Sequence, residues 1–185
     1  MKEYILFAGA NGAGKTTLYY LPKVTSMPRI NIDEILADDG GEWSNPNEAF
    51  LALRKGIDII DNKLSEGLPI CQETNLADKM ILSLIRSAHV LGYKIKMYYV
   101  GVETPDICVK RILERVLRGG RGLSESAVRR KYDISLENLK KVADVCDEIY
   151  VFDNSEIFNL IAIIKHGLIT FRNDGGVSWF RKNFP

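Results

Sequence analysis

Hydrophobic positions along the chain alternate between short unbroken apolar runs and longer stretches in which they recur every three to four residues. Tyr4 to Ala8 is an unbroken run that glycines end, which predicts a strand buried on both faces. A helix is expected from about Gly14 to before Pro22, and a short second strand at about Arg29 to Ile32. From Asn45 the sequence reads Asn-Pro-Asn-Glu, a cap followed by proline at the first helical position. Phe50, Leu53, Ile57, Ile60 and Leu64 then recur at helical spacing until Gly67.

Leu68 to Cys71 predicts a third strand running into "QETN", and Ala77 to Leu91 a helix closed by Gly92. Residues 93 to 102, rich in aromatic and β-branched side chains, predict a fourth strand. Thr104-Pro105 starts a helix to about Arg118, "GGRGLS" breaks it, and Ser124 restarts it to about Val142. "EIYVFDNS" predicts the fifth strand. Phe158 to Arg172 holds two apolar runs split by His166-Gly167, which fit a terminal β-hairpin or a short helix before His166. Strands alternating with helices point to an α/β fold, a five-stranded parallel sheet covered on both faces. No repeat or linker divides the chain, so residues 1–185 are expected to form a single domain with a C-terminal appendage from about 156 to 185.

Charge changes this picture little. With 25 Lys and Arg against 24 Asp and Glu, no whole-chain field steers the protein to nucleic acid or an anionic membrane. An anionic ligand must therefore be met locally. Cys71, Cys108 and Cys146 lack metal-ligand or redox spacing and read as reduced core residues. The start "MKEYILFAGANG" is too short in apolar residues for a secretory leader, and no run is long enough to span a membrane. A cytoplasmic setting is the expectation.

The chemistry begins where the first strand ends. Gly9-Ala10-Asn11-Gly12-Ala13-Gly14-Lys15-Thr16 fits G-x-x-x-x-G-K-[ST] at every specified position, with Thr17 following on the helix. Glycines let successive N–H groups point into one concavity, Lys15 brings charge to the β- and γ-phosphates, and the Thr16 hydroxyl suits Mg²⁺. The stretch predicts nucleoside triphosphate binding without naming a reaction.

Ligands of open parallel sheets sit outside the carboxyl ends of the strands, which directs attention to Asp33, Glu73-Thr74 and Asp153-Asn154. Asp33 is suited to accept a hydroxyl proton during phosphoryl transfer, or to cap the helix after it. Glu73 is suited to hold a Mg²⁺-bound water or a substrate hydroxyl, or to cap the helix from Ala77. Arg111, Arg115 and Arg118 share one helical face, with Arg121 in the glycine break and Arg129-Arg130 beyond it. Such a stripe is a solvated face or, beside a phosphate loop, a lid over about residues 115–131 that closes guanidinium groups on polyphosphate. Trp43 either stacks on a ligand ring or packs under its loop, while His89 and His166 read as structural or exposed rather than catalytic.

"FAGANGAGKTTL", "INIDEI", "QETNL", the segment from Gly101 to Leu139 and "VFDNS" together resemble, in order and spacing, the small zeta-toxin-like P-loop kinases often labelled ABC-type ATPases. The ABC label fits poorly because no L-S-G-G-Q stretch occurs, and no N-K-x-D supports a GTPase. The resemblance spans residues 3 to about 155 and implies a P-loop kinase-like core with strand order 2-3-1-4-5. It further implies ATP as donor, Mg²⁺ on Thr16, and Asp33 as catalytic base. Glu73 and Thr74 would face the substrate. Two of Arg118, Arg121, Arg129 and Arg130 would clamp phosphates, and Asn154 would lie beside adenine. The implied acceptor is UDP-N-acetylglucosamine, and the implied partner a separate antitoxin protein. Zeta toxins are longer, with sugar-binding segments that do not align here. A housekeeping kinase of a nucleoside or other small molecule, and a nucleotide-switched binding module, are the alternatives.

Overall fold

The computed structural model describes residues 2–21, 25, 27–42, 45–120 and 122–185, so Trp43 and Arg121 lie outside the described residues. Its strands are β1 (Glu3–Ala8), β2 (Ile30–Asn31), β3 (Ile70–Thr74), β4 (Lys94–Gly101), β5 (Glu148–Asp153), β6 (Asn159–Lys165) and β7 (Leu168–Arg172). They form one sheet in the order β2-β3-β1-β4-β5-β6-β7. The first five pair in parallel, in the order 2-3-1-4-5 that the resemblance implies.

The expectation of a five-stranded sheet is corrected to seven among the described residues. Residues 159–172 form the hairpin rather than the helix, and β6 pairs antiparallel with β5. Ile161, Ala162 and Ile164 of β6 are all buried. The hairpin thereby covers a strand edge that would otherwise expose unpaired N–H and C=O groups.

The helices are α1 (Lys15–Tyr19), α2 (Ile32–Asp38), α3 (Pro46–Glu66), α4 (Lys79–Val90), α5 (Pro105–Leu117), α6 (Glu125–Val142) and α7 (Ser178–Asn183). Local chemistry sets their ends. Asn45 Oδ1 accepts from the Asn47 N–H at 3.1 Å, Pro46 opens α3, and Gly67 closes it at φ 69°. Ser124 Oγ accepts from the Ala127 N–H at 3.3 Å and starts α6. Thr104 stands at the cap of α5 but makes no side-chain cap bond.

Side chains of β1 alternate between two cores. Tyr4, Leu6 and Ala8 join the larger one with residues of α3, α4, α5 and α6, while Ile5 and Phe7 join a smaller one with Leu18 of α1. On the less covered face Phe7, Tyr98 and Tyr150 stack across β1, β4 and β5 with centroids 5.3 Å apart. Each pair is a direct cross-strand neighbour, so the aromatic ladder supplies packing that a helix supplies elsewhere.

The short α7 had no counterpart in the sequence reading. Trp179 lies so close to β4 that a Cβ on Gly101 would meet its ring at 2.3 Å, and its Nε1 donates to Asp153 Oδ1 at 2.8 Å. The C-terminal segment thus packs against the carboxyl ends of β4 and β5. Among the described residues no helix is long and apolar enough to cross a membrane.

All three cysteines are free and buried. Burial pushes the Cys71 and Cys146 thiols up to about 12 and the Cys108 thiol up to about 11. Thiolate is the reactive form, so native protein at pH 8 is expected to resist iodoacetamide at all three sites and unfolded protein to react at all three. Intact-mass measurement before and after denaturant checks this, and rapid labelling of a native cysteine would contradict the burial.

Candidate active site

The phosphate-type loop joins β1 to α1 and is hemmed in by its neighbours. Gly12, at φ 84°, sits where a Cβ would come 2.8 Å from the carbonyl oxygen of Cys108 on α5. Gly14, at φ 110°, sits where one would come 2.5 Å from Asn154 Nδ2. Both positions require glycine twice over, for the left-handed backbone and for the close approach. The Ala13 N–H turns back to the Ala10 carbonyl at 3.1 Å.

Lys15 is 7% exposed, and its Nζ donates to the Ala10 carbonyl at 3.0 Å. Burial lowers its pKa, against the opposing pull of Glu73 and Asp33, and the Arg115 charge lowers it further. A buried, desolvated ammonium folded over a glycine loop is suited to meet an anion.

Thr16 Oγ1 donates to Glu73 Oε1 at 2.9 Å and lies 3.1 Å from Oε2. These two residues therefore meet. A carboxylate and a hydroxyl are the hard oxygen donors that Mg²⁺ takes together with phosphate oxygens and water. No three His, Cys, Asp or Glu side chains cluster to hold a metal by themselves among the described residues.

Glu73 is held from behind by a residue the sequence reading missed. Arg29 Nε lies 3.0 Å from Glu73 Oε2, and the same guanidinium pairs with Glu34. Tyr19 and Tyr20 face it at 4.5 and 5.1 Å. Its side chain is 4% exposed. Nothing in the local sequence marked Arg29, because its partners come from α1, α2 and β3.

The turn after β3 forms part of the wall of a cavity beside the loop. Thr74 Oγ1 accepts from the Leu76 N–H at 3.0 Å, and Asn75 Oδ1 from the Ala77 N–H at 2.8 Å. Leu76 is fully buried at φ 56°, a conformation that costs a non-glycine residue about 1–3 kcal/mol. Asn138 of α6 holds the turn by donating to the Leu76 carbonyl at 2.9 Å.

Asp33 is not the terminal residue of a strand. β2 ends at Asn31, whose Oδ1 accepts from the Asp33 N–H at 3.0 Å, so Asn31 caps α2 and Asp33 lies in its first turn. The two-residue strand is short because α2 begins immediately after it. Asp33 still reaches the site. It lines a cavity of about 390 Å³ with Asn11 and Lys15 of the loop, Glu73 and Thr74 of β3, Asp78 before α4, and Arg130 and Lys131 of α6.

Lys131 was also missed. It is two-sided chemically: burial lowers its pKa, while Asp33 and Asp78 pull the other way. A signal did exist, since Val128, Lys131, Tyr132 and Ser135 share the inward face of α6 and only one of them is charged.

The basic residues divide. Arg130 lines the cavity. Arg129 instead pairs with Asp106 and, at 2.8 Å, with Glu125 on the solvent side. Arg118 is the exposed C-cap of α5. Arg111 turns to the loop, with Nη2 donating to the Asn154 carbonyl at 2.8 Å and the Ser155 carbonyl at 3.2 Å. Asn154 does not point into open space; its Nδ2 donates to the Ala13 carbonyl at 2.7 Å.

No protein-family model matches the chain. It is 27% identical over 129 residues to an uncharacterized protein of Haemophilus influenzae, across 69% of this chain and 91% of that one. A structure of the PezAT chromosomal toxin–antitoxin system of Streptococcus pneumoniae superposes with a TM-score of 0.62 at 14% identity, over 85% of this chain and 70% of that one. The complex of AvrRxo1-ORF1 with ORF2 and ATP superposes with a TM-score of 0.65 at 14% identity, over 95% of this chain but only 62% of that one.

Proposed function

We propose that this chain, which has the fold of the zeta-toxin-like P-loop kinases, is a Mg²⁺-dependent ATP phosphotransferase acting on a hydroxyl of a small metabolite. The observation that carries the reading is one cavity lined both by Lys15 at the end of the glycine loop and by Asp33 of α2. A donor cation and an acceptor-side carboxylate on one small volume are the parts an in-line transfer needs.

In this reading Lys15 holds the β- and γ-phosphates of ATP. Asp33 takes the proton of the acceptor hydroxyl as its oxygen bonds to the γ-phosphorus, while the bond to the β–γ bridging oxygen breaks and ADP leaves. Arg130, with Arg115 and a lid over about residues 115–131, neutralises the charge spread over the transferring oxygens. Thr16 and Glu73 would hold Mg²⁺, which supplies further charge neutralisation between the phosphates. Arg29 keeps the Glu73 carboxylate oriented toward Thr16.

The acceptor that the resemblance implies is UDP-N-acetylglucosamine, and the PezAT likeness supports reading the chain as a toxin with a separate antitoxin. Three free buried thiols support a reducing, cytoplasmic setting. Incubation with ATP, Mg²⁺ and a bacterial metabolite extract is expected to yield a metabolite carrying one added phosphoryl group, seen by untargeted mass spectrometry and absent with Lys15→Ala. Pure UDP-N-acetylglucosamine tests the named acceptor, and Lys15-dependent growth arrest on expression tests the toxin reading. An extract without any new phosphorylated species would sink the kinase reading.

A further inference from the structure

One side chain of the lid stem does not face the cavity at all. Arg111, on α5, reaches across to the loop after β5, where Nη2 donates to the carbonyls of Asn154 and Ser155. Its Nη1 lies 3.5 Å from the carbonyl of Gly12 in the phosphate loop. From the other side Asn154 Nδ2 donates to the neighbouring Ala13 carbonyl at 2.7 Å. The loop is therefore gripped through two successive carbonyls by groups that belong to α5 and to the segment after β5.

The grip matters because of what it does to the peptide units. Fixing the Ala13 carbonyl on the outer side of the loop turns the Gly14 N–H of the same peptide unit away from that anchor, while the Ala13 N–H returns to the Ala10 carbonyl. Gly12 has no room for a side chain, since a Cβ there would come 2.8 Å from the Cys108 carbonyl oxygen of α5. A planar guanidinium suits the task, as its fork serves several carbonyls at once and an ammonium does not.

We propose that Arg111 is a positioning residue: with Asn154 it clamps the Gly12 and Ala13 carbonyls, presets the loop for phosphate, and ties that loop to the first helix of the lid. The inference rests on the nucleotide reading of the loop.

Calorimetric titration of the full chain with Mg²⁺-ATP and, separately, with Mg²⁺-tripolyphosphate tests the clamp. Arg111→Ala is expected to weaken both ligands by the same factor, roughly ten- to hundredfold, the scale of hydrogen bonds to a charged group. Arg111→Lys should stay close to the alanine variant, because it keeps the charge and loses the fork. Asn154→Ala, which cuts only the Ala13 link, should weaken both ligands in the same proportion and serves if Arg111→Ala fails to fold. Loss of ATP affinity with tripolyphosphate unchanged would place Arg111 on the nucleoside and overturn the clamp, as would full recovery in Arg111→Lys. Lys15→Ala separates the two layers of inference. If it binds tripolyphosphate normally, the nucleotide reading falls and the clamp with it; if it fails to bind while Arg111→Ala and Asn154→Ala bind normally, the clamp alone falls.

Discussion

Lys15→Met is expected to reduce phosphoryl transfer by about 10³-fold or more, the effect of deleting a preorganised charge from a desolvated site. The same variant is expected to hold or raise the thermal midpoint. Lys15 is buried, and desolvation lowers its pKa from 10.5. A lysine whose folded pKa lies below its unfolded value destabilises the fold at neutral pH. That cost lasts until pH climbs through the folded pKa and fades as pH nears the unfolded value. Methionine has the same reach and no charge to desolvate. Activity assay with differential scanning calorimetry measures both quantities. A variant that lost activity and several degrees of melting temperature together would mark Lys15 as structural and remove the argument for a cation stored for phosphate.

Asp33→Asn gives the second large effect. The side chain keeps its shape and its place in the first turn of α2, where the Asp33 backbone N–H is bonded to Asn31. What it loses is the ability to take a proton. The turnover number is expected to fall about 10²- to 10⁴-fold, the usual share of a positioned general base, with the KM for ATP unchanged. Steady-state kinetics on the acceptor found by mass spectrometry reads this out. Equal activity in Asp33→Asn would pass the base role to another carboxylate, and Asp78 on the same cavity would be the next to replace.

These two residues differ in how far the sequence led to them. Lys15 stands inside a motif whose physical meaning is local: glycines for a curled backbone, then a charge at the helix start. Asp33 was expected at a strand end, and the structure puts it in the first turn of a helix, because Asn31 captures the cap position. Both placements bring the carboxylate to the carboxyl edge of the sheet, where it lines the cavity with Lys15.

Helix and strand succession was legible because periodicity and capping act over a few residues. The Asn45-Pro46 start and Gly67 stop of α3 illustrate this, as do the paired helices around the glycine break after Arg118. The hairpin of residues 159–172 was one of two open readings, since an apolar run of that length fits a strand or a helix until a partner edge is known. The short α7 left no periodic trace, and its Trp179 gains its place from Gly101 and Asp153, far away in the chain.

By itself the sequence determined the order of elements as far as β5, the glycine-rich motif after β1 and the presence of acids and arginines after it, because each is written in neighbouring residues. Which of those side chains share a site was decided only by tertiary structure. Arg129 and Arg130 are adjacent in the chain, yet helical geometry turns one to Asp106 and Glu125 and the other into the cavity. Arg29, Lys131 and Arg111 acquire their roles through partners on other elements, and a contact between distant residues has no signature in either segment alone.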